Sequence, residues 1–196
     1  MFIAAPVLSP LASFFPTEVA APVSATITPA TPSSVPFYSQ FSDISSPTWK
    51  KNSCGIASLA MVIDAFSPHA VVPDTLLAEG IAAHAYLASA GWTYAGLIQV
   101  AKEHGMQGQA YDLGTSNSST ALAALTRSLA SGPVIASVHY KFQPTNPIPH
   151  LVVIDSIRDG VVYYNDPAAK TGNLSITTDV FVSAWKKRFI VIRPAS

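Results

Sequence analysis

With 196 residues the chain is long enough for one domain with a proper core plus a tail, and only 11% of it is charged against 49% hydrophobic. Eleven Lys and Arg balance eleven Asp and Glu, so there is no net positive charge to draw nucleic acid. A single cysteine excludes an intrachain disulfide and a cysteine-rich zinc centre, and no run reaches the ~18 apolar residues of a membrane span.

Residues 1–34 differ from the rest. They are rich in Pro, Ala, Ser and Thr, hold Glu18 as their one charge, and precede the first basic residue, Lys50. Met1 to Phe15 is apolar like a signal-peptide core, but it lacks a basic start, and Pro6 and Pro10 break its helix. This segment is expected to be either an export remnant, which points to a location outside the cytoplasm, or a linker, which leaves a cytoplasmic location open, with a single domain over residues 35–196.

The domain opens with an extended segment, Val35 to Gln40, and a Ser/Asp/Pro loop to Lys51. Cys54 to Phe66 follows as a helix, rich in Ala, Leu and Met and apolar on nearly every side, so it should be buried. Ser53 or Asn52 is its expected N-cap. Cys54 then lies in the first turn, where the helix dipole favours thiolate. Taken alone, Cys54 fits a small buried apolar residue as well as a nucleophile. Asp64, late in this helix, calls for a polar partner near the helix end.

Pro73 and Asp74 open a second helix, with Gly80 weakening it before Ile81 to Leu87. Gly91-Trp92-Thr93 punctuates the chain, and Thr93 caps a helix that Gly105 stops. Ser118 or Ser119 caps another, Thr120 to Ser131. The periodicity then changes to strand: Val134 to Val138 as a central strand, a Pro-rich loop, His150 to Ile157, a turn at Arg158-Asp159-Gly160, and Val161 to Asn165. Gly172 to Thr177, a short helix Asp179 to Trp185 and a strand Phe189 to Ile192 close the chain. Helices first and antiparallel strands last make an α+β class.

The hairpin carries a geometric expectation. A three-residue turn pairs Ile157 with Val161 and sets Asp166 opposite Val152, diagonal to His150 on the same face, at about 7–8 Å between Cα atoms. A two-residue turn puts the two side chains on opposite faces. The odd loop therefore allows a His150–Asp166 pair in which the carboxylate orients the imidazole. His69, His84 and His104 have no partners at ligand spacing, so neither a metal nor a cofactor is called for.

Four stretches together, Val35-Pro36-Phe37-Tyr38-Ser39-Gln40, Cys54-Gly55-Ile56-Ala57-Ser58-Leu59-Ala60-Met61-Val62, His150-Leu151-Val152-Val153 and Tyr164-Asn165-Asp166-Pro167, resemble the motifs of the papain-like bacteriocin-processing (double-glycine leader) cysteine peptidases, and most closely the stand-alone branch called peptidase family thirty-nine-like. Gly91-Trp92-Thr93 and the closing Trp185 and Ile192-Arg193-Pro194 fit it too. The resemblance implies a papain-like fold in which a buried Cys-bearing helix packs on a C-terminal antiparallel sheet. It implies Cys54 as nucleophile, His150 as general base and acid, Asp166 as orienting residue and Gln40 as oxyanion donor beside the Cys54 N–H. Gly91, Trp92 and His139 are candidates for lining the substrate groove. Gln40 lies farther ahead of Cys54 than in transporter-fused members, so residues 42–52 are expected to loop out.

The expected partner is a peptide or protein substrate, with oligomeric state left open. The same triad order also suits a cell-wall peptide amidase or acyl transferase, and a misaligned site suits a catalytically silent peptide-binding domain.

Overall fold

The computed structural model describes residue 1 and residues 35–196, so the expected tail of residues 2–34 lies outside the described residues. In chain order the elements are a 3-10 turn at Lys50–Asn52, α1 (Cys54–Phe66), α2 (Pro73–Ala82), β1 (Tyr86–Leu87), β2 (Gly91–Trp92), α3 (Tyr94–Glu103), β3 (Met106–Asp112) and α4 (Ser118–Leu129). They continue with β4 (Val134–His139), a second 3-10 turn at Tyr140–Phe142, β5 (Pro149–Arg158), β6 (Val161–Asn165), β7 (Leu174–Thr177), α5 (Thr178–Ala184) and β8 (Trp185–Pro194). Six strands form one antiparallel sheet in the order β3-β8-β4-β5-β6-β7, and β1 pairs with β2.

Both faces of the central strands are covered, which is why β4 begins with consecutive apolar residues, Val134 to Ala136. Ile135, Leu151, Val153, Ile190 and Ile192 join α1, α2 and α3 in one core. Val134, Ala136, Val138, Val152, Ile154 and Phe189 join α4 and α5 in the other. Alternation along each strand divides its side chains between the two cores. Helix α1 is buried from Gly55 to Ala65, as its all-round apolar sequence requires.

Three local expectations change. Gly80 does not weaken α2; a Cβ there would lie 2.7 Å from the Trp92 ring, so glycine makes room for the indole. The chain beyond Ala82 leaves helix for β1. Strand β3 was not expected at all, because Met106 to Asp112 is largely polar and Gly-containing, as a sheet edge tolerates.

The hairpin reaches the expected register by another route. Arg158 pairs with Val161, so the turn holds only Asp159 and Gly160, both at positive φ (53° and 75°). Such a turn should reverse the faces. A bulge between Ile154 and Ser156 restores them, and Ile154 pairs with Tyr164 and Val153 with Asn165, as a three-residue turn would have arranged. The extra residue is Asp155, which is exposed.

Candidate active site

Cys54 is the first residue of α1, at the floor of a cleft of about 900 Å³ lined also by Gln40, Trp92, Tyr140, His150 and Leu151. Ser53 precedes the helix but does not cap it through its side chain; its hydroxyl donates instead to the Trp49 carbonyl at 2.8 Å. The first-turn amides of α1 thus have no side-chain cap, and the dipole's positive end faces the sulfur.

Trp92 fixes this helix end. Its indole N–H donates to the Asn52 carbonyl at 2.6 Å, and its ring packs so tightly on Gly55 that a Cβ there would meet it at 2.8 Å. The glycine after the cysteine is therefore a matter of space. Trp92 is both cleft wall and core, joined edge-on to Tyr86 and tilted against Trp49.

His150, at the start of β5, is 4% exposed and its Nε2 donates to Asp166 Oδ1 at 2.6 Å. Asp166 is held in turn by the Ala168 N–H at 2.8 Å on the same oxygen. With Nε2 committed, the other ring nitrogen is the one left for the Cys54 side chain, with which His150 shares a hydrogen-bonding interaction. The three segments named from sequence therefore meet.

The charges settle accordingly. Burial pushes the Cys54 thiol up, but the hydrogen bond and charge of His150, with the Leu151 and Gly55 N–H groups, outweigh it and leave the thiol below its ordinary value. Burial pulls His150 down, and its bonds to Asp166 and Cys54 overcome that and raise it to about 9. Opposed shifts in a joined pair favour thiolate with imidazolium over the neutral pair.

Gln40 is 3% exposed and faces the same cleft. The loop expected between it and Cys54 exists, and it supplies the clamp: the Gln40 Nε2 donates to the Lys50 carbonyl at 2.8 Å. That acceptor fixes which way the amide lies. The Gln40 backbone N–H donates to the Pro167 carbonyl at 2.8 Å, so the glutamine is tied to the residue after Asp166.

Gly91 lines the cleft at φ 79°, where a side chain is strained. His139 does not line it. Its Nδ1 is engaged by the Asn146 carbonyl at 2.7 Å, closing the Pro-rich loop, and this expectation is corrected. The neighbouring Tyr140 takes the place instead, its ring edge-on to His150 at 5.2 Å. Sequence offered no signal for this, because Lys141 and Phe142 adopt positive φ (57° and 52°) to turn the chain there.

Among the remaining histidines His104 bonds Glu79 at 2.6 Å, and no group of three or more His, Cys, Asp or Glu side chains that could hold a metal ion occurs among the described residues. No helix among them is long and apolar enough to cross a membrane.

Residues 32–190 match the model of the Peptidase_C39 like family. Solved structures share the fold. A C39-like peptidase from Bacillus anthracis aligns at 20% identity and a TM-score of 0.60, over 83% of this chain and 96% of that one. A double glycine motif protease from an AMS/PCAT transporter, in complex with its leader peptide, aligns at 20% and 0.59 over 84% and 95%. The peptidase domain of Streptococcus ComA, a bi-functional ABC transporter involved in a quorum-sensing pathway, aligns at 18% and 0.56 over 74% and 93%. No curated protein sequence matches.

Proposed function

The chain belongs to the Peptidase_C39 like family, and from that premise we propose that it is a cysteine peptidase hydrolysing peptide bonds through Cys54, His150 and Asp166. The observation that carries this reading is the continuous link from Asp166 through His150 to Cys54, with its opposed shifts of thiol and imidazole. The Cys54 thiolate attacks the scissile carbonyl. His150, protonated at the start, gives its proton to the departing amine, and then takes one from the water that cleaves the thioester. Asp166 holds the ring in place through Nε2 and supports its positive charge. The Cys54 backbone N–H and the second Nε2 proton of Gln40 receive the oxyanion, the first proton being held by the Lys50 carbonyl. The 2–34 segment and the location it implied are part of the same reading: a peptidase acting outside the cytoplasm.

Alkylation by iodoacetamide, followed by mass spectrometry across pH, tests the site. Labelling of Cys54 well below the pH at which a free thiol reacts supports it; ordinary thiol behaviour overturns it. Cleavage of a set of synthetic peptides, lost in Cys54→Ala, tests the reaction, and release of products from peptidoglycan fragments in place of peptides would move the substrate to cell-wall cross-links.

A further inference from the structure

We propose that the end of the cleft away from Cys54 is a carboxylate-recognition subsite built from Lys186 and Arg188, selecting substrates with a carboxylate about three residues from the scissile bond. The position of that bond rests on the peptidase reading above.

The sheet lays out the site. Leu151 of β5 pairs with Ser137 of β4, Ser137 with Arg188 of β8, and Arg188 with Asp112 of β3. All four residues line the cleft, so this row is a floor running across the strands. It begins beside the sulfur, since the Leu151 N–H interacts with Cys54. Arg188 lies two strand spacings from Leu151, about 10 Å, which an extended peptide at about 3.3 Å per residue covers in three residues.

Lys186 reaches the cleft through a defect in this floor. Ser137 pairs with Arg188, but Val138 pairs with Trp185, so β8 holds two extra residues, Lys186 and Lys187. Bulges of this kind re-aim side chains. The two lysines part company: Lys187, at φ 55°, donates to the Ser116 carbonyl at 2.6 Å, while Lys186 lines the cleft. Lys186 has no ion pair among the described residues, and its neighbour in the cleft is another cation. Burial, then the charge of Arg188, lowers its pKa, a cost that a bound anion relieves.

Arg188 is already paired with Asp112 at 2.9 Å, but the two side chains are 46% and 60% exposed. An exposed pair of that kind is weak and leaves guanidinium N–H groups for a second carboxylate. Asp112 is the only acid among the described residues that line the cleft, against Lys51, Lys186 and Arg188. The Tyr94 phenol, hydrogen-bonded to Ser137, adds a neutral donor beside the two cations.

The carboxylate has two sources, an Asp or Glu side chain or a free C terminus, and synthetic dodecapeptides separate them. One series carries Glu or Gln at each position in turn; a second ends in acid or amide. For the unmodified chain, kcat/KM should be about tenfold higher for Glu, or for the free acid, at one position some three residues from the cleaved bond. Lys186→Glu should erase that ratio, lowering cleavage of the Glu peptides more than that of the Gln peptides, and Asp112→Asn, which frees Arg188, should widen it. Equal cleavage of Glu and Gln peptides and of acid and amide, or a ratio unmoved by Lys186→Glu, overturns the subsite. If no peptide is cleaved, the peptidase reading fails, and anisotropy with the same peptides fluorescently labelled decides the subsite: tighter binding of the acidic peptides that Lys186→Glu abolishes supports it, and equal binding overturns it.

Discussion

The two ends of α1 carry the same arrangement and put it to different use. At the N-terminal end, His150 meets Asp166 at 2.6 Å beside Cys54. Near the C-terminal end, the Tyr38 hydroxyl donates to Asp64 Oδ2, also at 2.6 Å, and the Val71 N–H donates to the other oxygen at 3.1 Å. In both places a carboxylate steadies a titratable partner brought from a distant segment. Burial and then Asp64 push the Tyr38 phenol up to about 12, beyond any working pH, so that pair is a clasp between the domain's first segment and its central helix. His150 ends near 9 against a thiol shifted the other way, and that pair can move protons. The motif does not make chemistry. A pKa within reach, an open helix end and a cleft do.

Breaking the two ends separately should show this. The largest effect belongs to Cys54→Ala, which should cost at least about 10³-fold in peptide cleavage and leave the melting temperature nearly unchanged, read by a peptide assay beside a thermal melt. Gln40→Ala should lower kcat by about 10²-fold or somewhat more, as expected for one oxyanion donor, with less change in KM.

Asp166→Asn should lower kcat by about 10²-fold and also move the pH profile. His150 is raised to about 9 partly by Asp166, so activity needing its imidazolium is lost as pH rises through that value. Without the carboxylate's charge the ring gives up its proton at lower pH, and the alkaline limb should shift toward neutrality. A limb that stays where it was in a slower enzyme would assign Asp166 a purely structural part.

The other end should respond in stability alone. Asp64→Ala strands the buried Val71 amide and releases the half-buried Tyr38 hydroxyl, and should cost about 1–3 kcal/mol, visible in urea unfolding, while kcat of the folded fraction holds. The smallest change is Tyr38→Phe, about 1 kcal/mol with the active site untouched. A loss of thiol reactivity in Tyr38→Phe would mean that the two ends are coupled through α1.

Much of this was legible in the residues. An all-round apolar helix could only be buried, β4 could only be central, and Thr93 caps α3 as its position predicts, accepting from the Gly96 N–H at 3.1 Å. Asp64 does find its polar partner near the helix end. The His150–Asp166 pairing was anticipated for the right register but the wrong turn: a two-residue loop and a bulge at Asp155 together do what one three-residue loop would have done. The N-cap of α4 fell one residue earlier, on Asn117, whose side chain accepts from the Thr120 N–H at 2.8 Å. His139 could not be told from Tyr140 as a cleft residue, because two consecutive positive-φ residues after them redirect the loop.

Sequence by itself determined most of the helices and the central strands, that one helix is buried with a cysteine at its head, and which three side chains could meet there, because apolar period and turn residues act over a few positions. Only the tertiary structure decided the bulges in β5 and β8, the Lys50 carbonyl that holds Gln40, the indole that demands Gly55 and Gly80, and the two lysines sent opposite ways. Those depend on contacts between residues far apart in the chain, whose energies exist only once the partner surface has formed.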